Sequence, residues 1–143
     1  MLIDRQDLNI VEATVAELQK TLSSGHTNSV ELVAKHLYRI AKYDRRGILL
    51  NSIPVINLEV FEDAQASDDR RASGQTLNAL DGIPCTIKDS YKIKGMTVAT
   101  GSPAFKSLIT TDNTFTVGKI KEAGAVIIGK TNMPSMAAGG MQS

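Results

Sequence analysis

The chain contains no tryptophan and only three phenylalanines and three tyrosines, which leaves few flat side chains for stacking bases or sugars. Its one cysteine, Cys85, excludes an intrachain disulfide framework, and with only two histidines a structural zinc site is not expected. Charge of either sign is scarce in net terms: 16 Lys and Arg against 15 Asp and Glu leave +1, so no bulk attraction to nucleic acid or membrane is implied. No apolar run is long enough to span a bilayer. The opening Met1-Leu2-Ile3-Asp4-Arg5 lacks the basic-then-apolar order of an export signal, so a cytoplasmic location is expected. What remains is a soluble globular composition, 42% hydrophobic and 22% charged, with enough chain to bury a core.

Local patterns predict a helical first half. Thr14-Val15-Ala16-Glu17 reads as a capping box, with Val15, Leu18 and Leu22 on one face and Ser23-Ser24-Gly25 as the stop. Asn28-Ser29-Val30-Glu31 repeats the pattern and opens a second helix that ends near Tyr43-Asp44. Its stripe of Val30, Val33, Leu37 and Ile40 reads as a core face. Leu49 to Ile56 is apolar and β-branched, but Pro54 argues against a central hydrogen-bonded strand. Leu58 to Arg71 is a polar helix with Val60, Phe61 and Ala64 expected inward and Asp68-Asp69-Arg70-Arg71 as its solvated end. Ala72 to Asn78 is a connection.

The texture changes at residue 79. Short strands are predicted near 83–88 and 125–129, with a further β-rich stretch from Tyr91 to Ala99 broken by Gly95. Thr100-Gly101-Ser102-Pro103 reads as a turn. Asp112 is the expected cap of a helix carrying Val117, Ile120 and Ala123 on one side, with Gly124 ending it. A helix, a glycine and then an apolar strand is the grammar of an α/β sheet.

Gly124-Ala125-Val126-Ile127-Ile128-Gly129-Lys130-Thr131 satisfies the written phosphate-loop pattern. Its context is wrong. That loop follows a strand and opens a helix, whereas here a helix precedes Gly124 and the four central residues favour a strand. Asn132-Met133-Pro134 then favours a turn.

The chemistry-bearing stretch is Asp81-Gly82-Ile83-Pro84-Cys85-Thr86-Ile87-Lys88-Asp89-Ser90. Lys88 closes a short apolar run, so it is either an edge charge reaching water or a buried amine able to act as a base. Two blocks, Gly82 to Asp89 and Ala123 to Pro134, resemble the amidase-signature family in order and spacing. The paired N-terminal helices, the stretch beginning at Asn51 and the Ala-containing helix after it extend the resemblance over most of residues 10–143.

That resemblance implies an α/β fold, a mixed β-sheet flanked by helices, and a Ser–cis-Ser–Lys triad whose lysine matches Lys88. Members are much longer, so residues 1–143 are expected to be the incomplete N-terminal portion of one amidase domain, with both serines beyond residue 143. Neither Ser90 nor Ser143 fits a family serine position. The implied activity is hydrolysis of a small-molecule amide, with no metal or organic cofactor, no nucleic acid and no membrane. A homodimer or a further chain completing the fold is the possible partner. Ala137, Ala138 and Gly139 match a segment that approaches substrate in similar enzymes. The A-type subunit of a glutamine-dependent amidotransferase, a nucleotide-binding module using Lys130 and a non-catalytic fragment stand as alternatives. Structural roles are expected for Lys130 (or a solvated one), for Asn132 at a turn, for Asp89 bonded to nearby groups and for Cys85 as a small buried side chain; His26 and His36 read as ordinary polar positions.

Overall fold

The structure is a computed structural model that describes residues 8–137. Its sheet is built around the apolar run near residue 126. Strand β3 (Val126–Thr131) lies between β1 (Val55–Ile56), which is antiparallel to it, and β2 (Pro84–Lys88), which is parallel. Pro54 falls just outside β1, a short edge strand, where its missing N–H costs no ladder bond. Gly129 lets β1 approach: a Cβ there would sit 2.3 Å from the Val55 carbonyl oxygen.

The β2–β3 register jumps from Cys85 opposite Ile127 to Thr86 opposite Gly129, leaving Ile128 as an extra residue. Asn57 occupies the bulge. Its backbone N–H donates to the Ile128 carbonyl (2.8 Å), and its buried amide donates to that of Ile127 (2.9 Å). The bulge also changes which face Lys130 takes. Val126 and Ile128 pack with Val33, Val60 and Ala64, whereas Ile127 packs with Ile87, Ile93, Met96 and Val117. Lys130 is the register partner of Ile87 and so shares its side; unbroken alternation would have placed it with Val126 and Ile128.

Helix α1 (Val15–Ser23) starts at the capping box: Thr14 Oγ1 accepts the Glu17 N–H at 3.2 Å, and the Glu17 carboxylate accepts the Thr14 N–H at 2.7 Å. Leu18 and Leu22 bury against Leu32 and Ile83, but Val15, expected on the same stripe, remains exposed in the first turn. Helix α2 (Ser29–Arg39) starts with Asn28 accepting the Glu31 N–H. Val33 is fully buried, with Val30, Leu37 and Ile40 packed around it, and a wide π turn over Ile40–Asp44 ends the helical path. Asp44 is itself buried and accepts from the Ser52 N–H and hydroxyl and the Ile53 N–H, closing the intervening loop.

Helix α3 (Val60–Ala72) buries Val60, Ala64 and Ser67. Two expectations about it are corrected. Phe61 does not face inward: it is 44% exposed, because the adjoining Val60 takes the inward position. The charged end is not simply solvated either. Asp68 accepts the Ser29 N–H (2.7 Å) and the Val30 N–H (3.1 Å), and so caps α2 from another helix. Arg70 forks onto the completely buried Asp81, with Nη2 to Oδ1 at 2.7 Å and Nε to Oδ2 at 3.3 Å. Arg71 donates to the Asp81 carbonyl oxygen. Gly124 makes room for this cluster: its φ is +86°, and a Cβ would lie 2.6 Å from Asp81 Oδ1.

The stretch Tyr91–Ala99 forms no strand. Thr97 makes one isolated bridge with Ile109, and the Gly95, Val98 and Thr110 N–H groups donate across an irregular loop pair. Gly95, at φ +81°, breaks any regular ladder. Ile93, Met96 and Val98 are nonetheless buried, which accounts for their β-rich appearance in sequence. Helix α4 (Phe115–Glu122) has Thr114, not Asp112, at its N-cap; Asp112 pairs with Lys92 on the surface. Val117 is its fully buried contact.

Candidate active site

Lys88 is the last residue of β2. Cys85 and Ile87 turn toward the core, so the alternating positions Thr86 and Lys88 are exposed. Of the two readings for Lys88, the described residues show the exposed one. Its Nζ donates to the Asn132 carbonyl oxygen at 2.9 Å, just beyond the end of the neighbouring strand. Asn132 is held in turn by its N–H on the Ser52 carbonyl (2.8 Å), its side-chain amide on the Asn51 carbonyl (3.0 Å) and its Oδ1 accepting the Met133 N–H. Asn132 satisfies backbone groups as expected, but residues 132–134 are irregular chain and not a turn, because its amide reaches across to the segment before β1.

Behind this surface lies a buried ion pair. Lys130 has no exposed area; its Nζ is 2.9 Å from Asp89 Oδ1 and donates to the Thr97 carbonyl (2.6 Å) and the Asp89 carbonyl (3.4 Å). The solvated reading of Lys130 is thus corrected and the structural one stands. The phosphate-loop pattern is absorbed in the same way: Gly124 ends a helix, and Gly129 and Lys130 are inside β3. Asp89 also receives the Gly101 N–H at 3.5 Å. Gly101 abuts the next segment so closely that a Cβ would fall 2.4 Å from the Met133 carbonyl oxygen, and the Thr100 carbonyl accepts the Met136 N–H.

A cavity of about 330 Å³ opens among Asp89, Thr97, Ser102, Lys106 and Asn132. Ala137 is exposed at the end of the described chain, with positive φ (58°) following that of Met136 (52°). Ala138 and Gly139 lie outside the described residues. Sequence reasoning missed Asn57 and Asp81, whose partners are distant in the chain.

Cys85 is half-buried, and desolvation pushes its thiol up to about 11. At neutral pH it should resist an aromatic disulfide reagent in the native protein and react promptly after denaturation; rapid native labelling would contradict its packing. Among the described residues His26 and His36 make local bonds, to Ser24 and to the Leu32 carbonyl. Among the described residues no three His, Cys, Asp or Glu side chains group as a metal site, and no helix is long and apolar enough to cross a membrane.

A small mixed sheet flanked by helices, with a lysine presented at the end of a parallel strand and a cavity next to its acceptor Asn132, defines an α/β protein. Residues 31–143 match the family described as Amidase, and the chain belongs to that family. It is 34% identical over 131 residues to the A-type subunit of glutamyl-tRNA(Gln) amidotransferase from Neorickettsia sennetsu, covering 92% of this chain and 27% of that protein. The corresponding protein of Chromohalobacter salexigens is 37% identical over 128 residues, covering 90% and 26%. Among solved structures, the native peptide amidase of Stenotrophomonas maltophilia superposes with a TM-score of 0.84 at 33% identity, covering 87% of this chain and 25% of its own. The chain therefore spans about a quarter of the length of the relatives it matches.

Proposed function

We propose that the full-length protein hydrolyses a carboxamide through a Ser–cis-Ser–Lys triad, to which this chain contributes Lys88. The supporting observation is Lys88 itself: it stands exposed at the end of β2, held toward the Asn132 carbonyl, with no carboxylate partner among the described residues. In this reading residues 1–143 are the N-terminal portion of one amidase domain, and later chain covers Lys88 and supplies both serines. With the amine neutral, Lys88 takes a proton relayed through the cis-serine as the nucleophilic serine attacks the amide carbonyl. The relay then protonates the leaving amine, and water releases the acyl group by the reverse path. No step calls for a metal or organic cofactor. Ala137, Ala138 and Gly139 would border the substrate; the exposed position of Ala137 suits such a border.

Turnover of simple carboxamides by the full-length protein, lost on replacing Lys88, tests this reading. The 143-residue chain alone should not hydrolyse amides efficiently, and reproducible turnover by a homogeneous preparation would require another nucleophile. A second reading, the A-type subunit of a cytoplasmic amidotransferase, is favoured by the relatives of that name. Glutamine-specific hydrolysis together with co-purifying partner chains would select it; turnover of varied amides by the free protein would select the amidase.

A further inference from the structure

We infer that Lys130 is a positioning residue that holds Lys88 and the segment after Asn132 in working geometry, an inference that rests on the hydrolytic reading of Lys88. A lysine with no exposed area in the central strand of a sheet is costly to bury, and here the surrounding oxygens compensate it. Three oxygens face its ammonium: Asp89 Oδ1, the Asp89 carbonyl and the Thr97 carbonyl. Each belongs to chain that borders the candidate site.

Asp89 immediately follows Lys88, and its N–H continues the parallel ladder onto Thr131. Thr97 begins the loop whose Gly101 N–H returns to Asp89 and whose backbone abuts Met133 and Pro134. Lys130 itself is two residues before Asn132, the acceptor for Lys88. One ammonium thus joins the strand end carrying Lys88, the strand end carrying its acceptor and the loop beneath residues 133–136. Lys130 does not line the cavity beside Asn132, so its effect passes through Asp89 and the loop.

The test uses the full-length protein and a simple amide substrate. Lys130→Met removes the charge at similar length but leaves the Asp89 carboxylate buried without its counter-ion, so that variant is expected to lose thermal stability. The double variant Lys130→Met/Asp89→Asn removes both charges and is expected to regain much of that stability. A positioning role predicts that its kcat stays down about 10- to 100-fold, the cost of a small misplacement, while KM changes little. Recovery of kcat alongside stability would overturn the inference, and so would failure of the double variant to fold, since the pair would then serve only the integrity of the fold. Lys88→Ala measured in the same series separates the two claims. If it retains turnover, the hydrolytic reading falls and takes this inference with it; if it is inactive while the double variant is fully active, only the role of Lys130 falls.

Discussion

Lys88→Ala in the full-length protein should lower kcat/KM for amide hydrolysis by about 10²–10⁴-fold, the range carried by a positioned general base, with little change in thermal midpoint. The structure gives the reason for the asymmetry. Lys88 donates to one carbonyl and belongs to none of the three core clusters, so truncation opens no cavity in the described core whether or not later chain covers the amine. Lys88→Arg should not restore activity: a guanidinium keeps its proton at any working pH and has no neutral form to receive another. Circular dichroism and a melting curve must accompany the rates, because activity lost through unfolding would not bear on chemistry. Near-normal turnover by both folded variants would remove Lys88 from the mechanism.

Arg70→Met should be the most damaging single change to stability that leaves β2 and β3 untouched, at about 3 kcal/mol or more. Asp81 is completely buried, and Arg70 is its ion-pair partner among the described residues. Burial alone pushes the Asp81 carboxyl up, but bonds from Arg70 and the Leu77 N–H outweigh it and hold the group below its ordinary value. The sign of the pH effect follows. With a folded-state value lower than the unfolded one, this carboxylate stabilises the fold above the ordinary carboxylate range. That contribution is lost as pH falls from there through the folded-state value. In Arg70→Met the isolated carboxylate is relieved by protonation, so the stability gap to the parent sequence should narrow on acidification toward pH ~4. Urea denaturation at neutral and mildly acid pH measures both effects. A variant as stable as the parent at pH 7 would show that Asp81 is compensated some other way.

What the sequence made legible was local. The Thr14–Glu17 box and the Asn28 cap are settled within four residues, and both helices start where those residues place them. The run from Ala125 to Ile128 identified β3, and Pro54 correctly marked its antiparallel neighbour as an edge. What stayed hidden was pairing at a distance. Asp68 looks like helix-end charge until Ser29 and Val30 are brought to it, and Arg70 looks the same until Asp81 is. Asn57 looks like loop until the bulge in β3 presents two carbonyls. At the candidate site, Lys88 was singled out through its family block, and its place at the end of a strand was legible from the apolar run before it. The burial of Lys130 was not, because the predicted strand stopped at residue 129. Once β3 is known to be central and to run to Thr131, a lysine inside it must be covered on both faces, and a nearby carboxylate such as Asp89 becomes the partner to look for.

The strand order carries a consequence for how the chain acquires its shape. β3 is the last of the three strands to be synthesised, yet it is the one to which both others pair, and Val55 waits for Lys130 across much of the chain. The contacts among α1, α2 and α3 close shorter loops, so a helical unit around Leu32, Val33 and Ala64 can assemble while β1 and β2 still lack a partner. Sheet formation is then a late event, set by the arrival of residues 126–131. The surface bearing Lys88 and the Asn132 carbonyl comes into being at that same moment, because one side of it is β2 and the other is the end of β3.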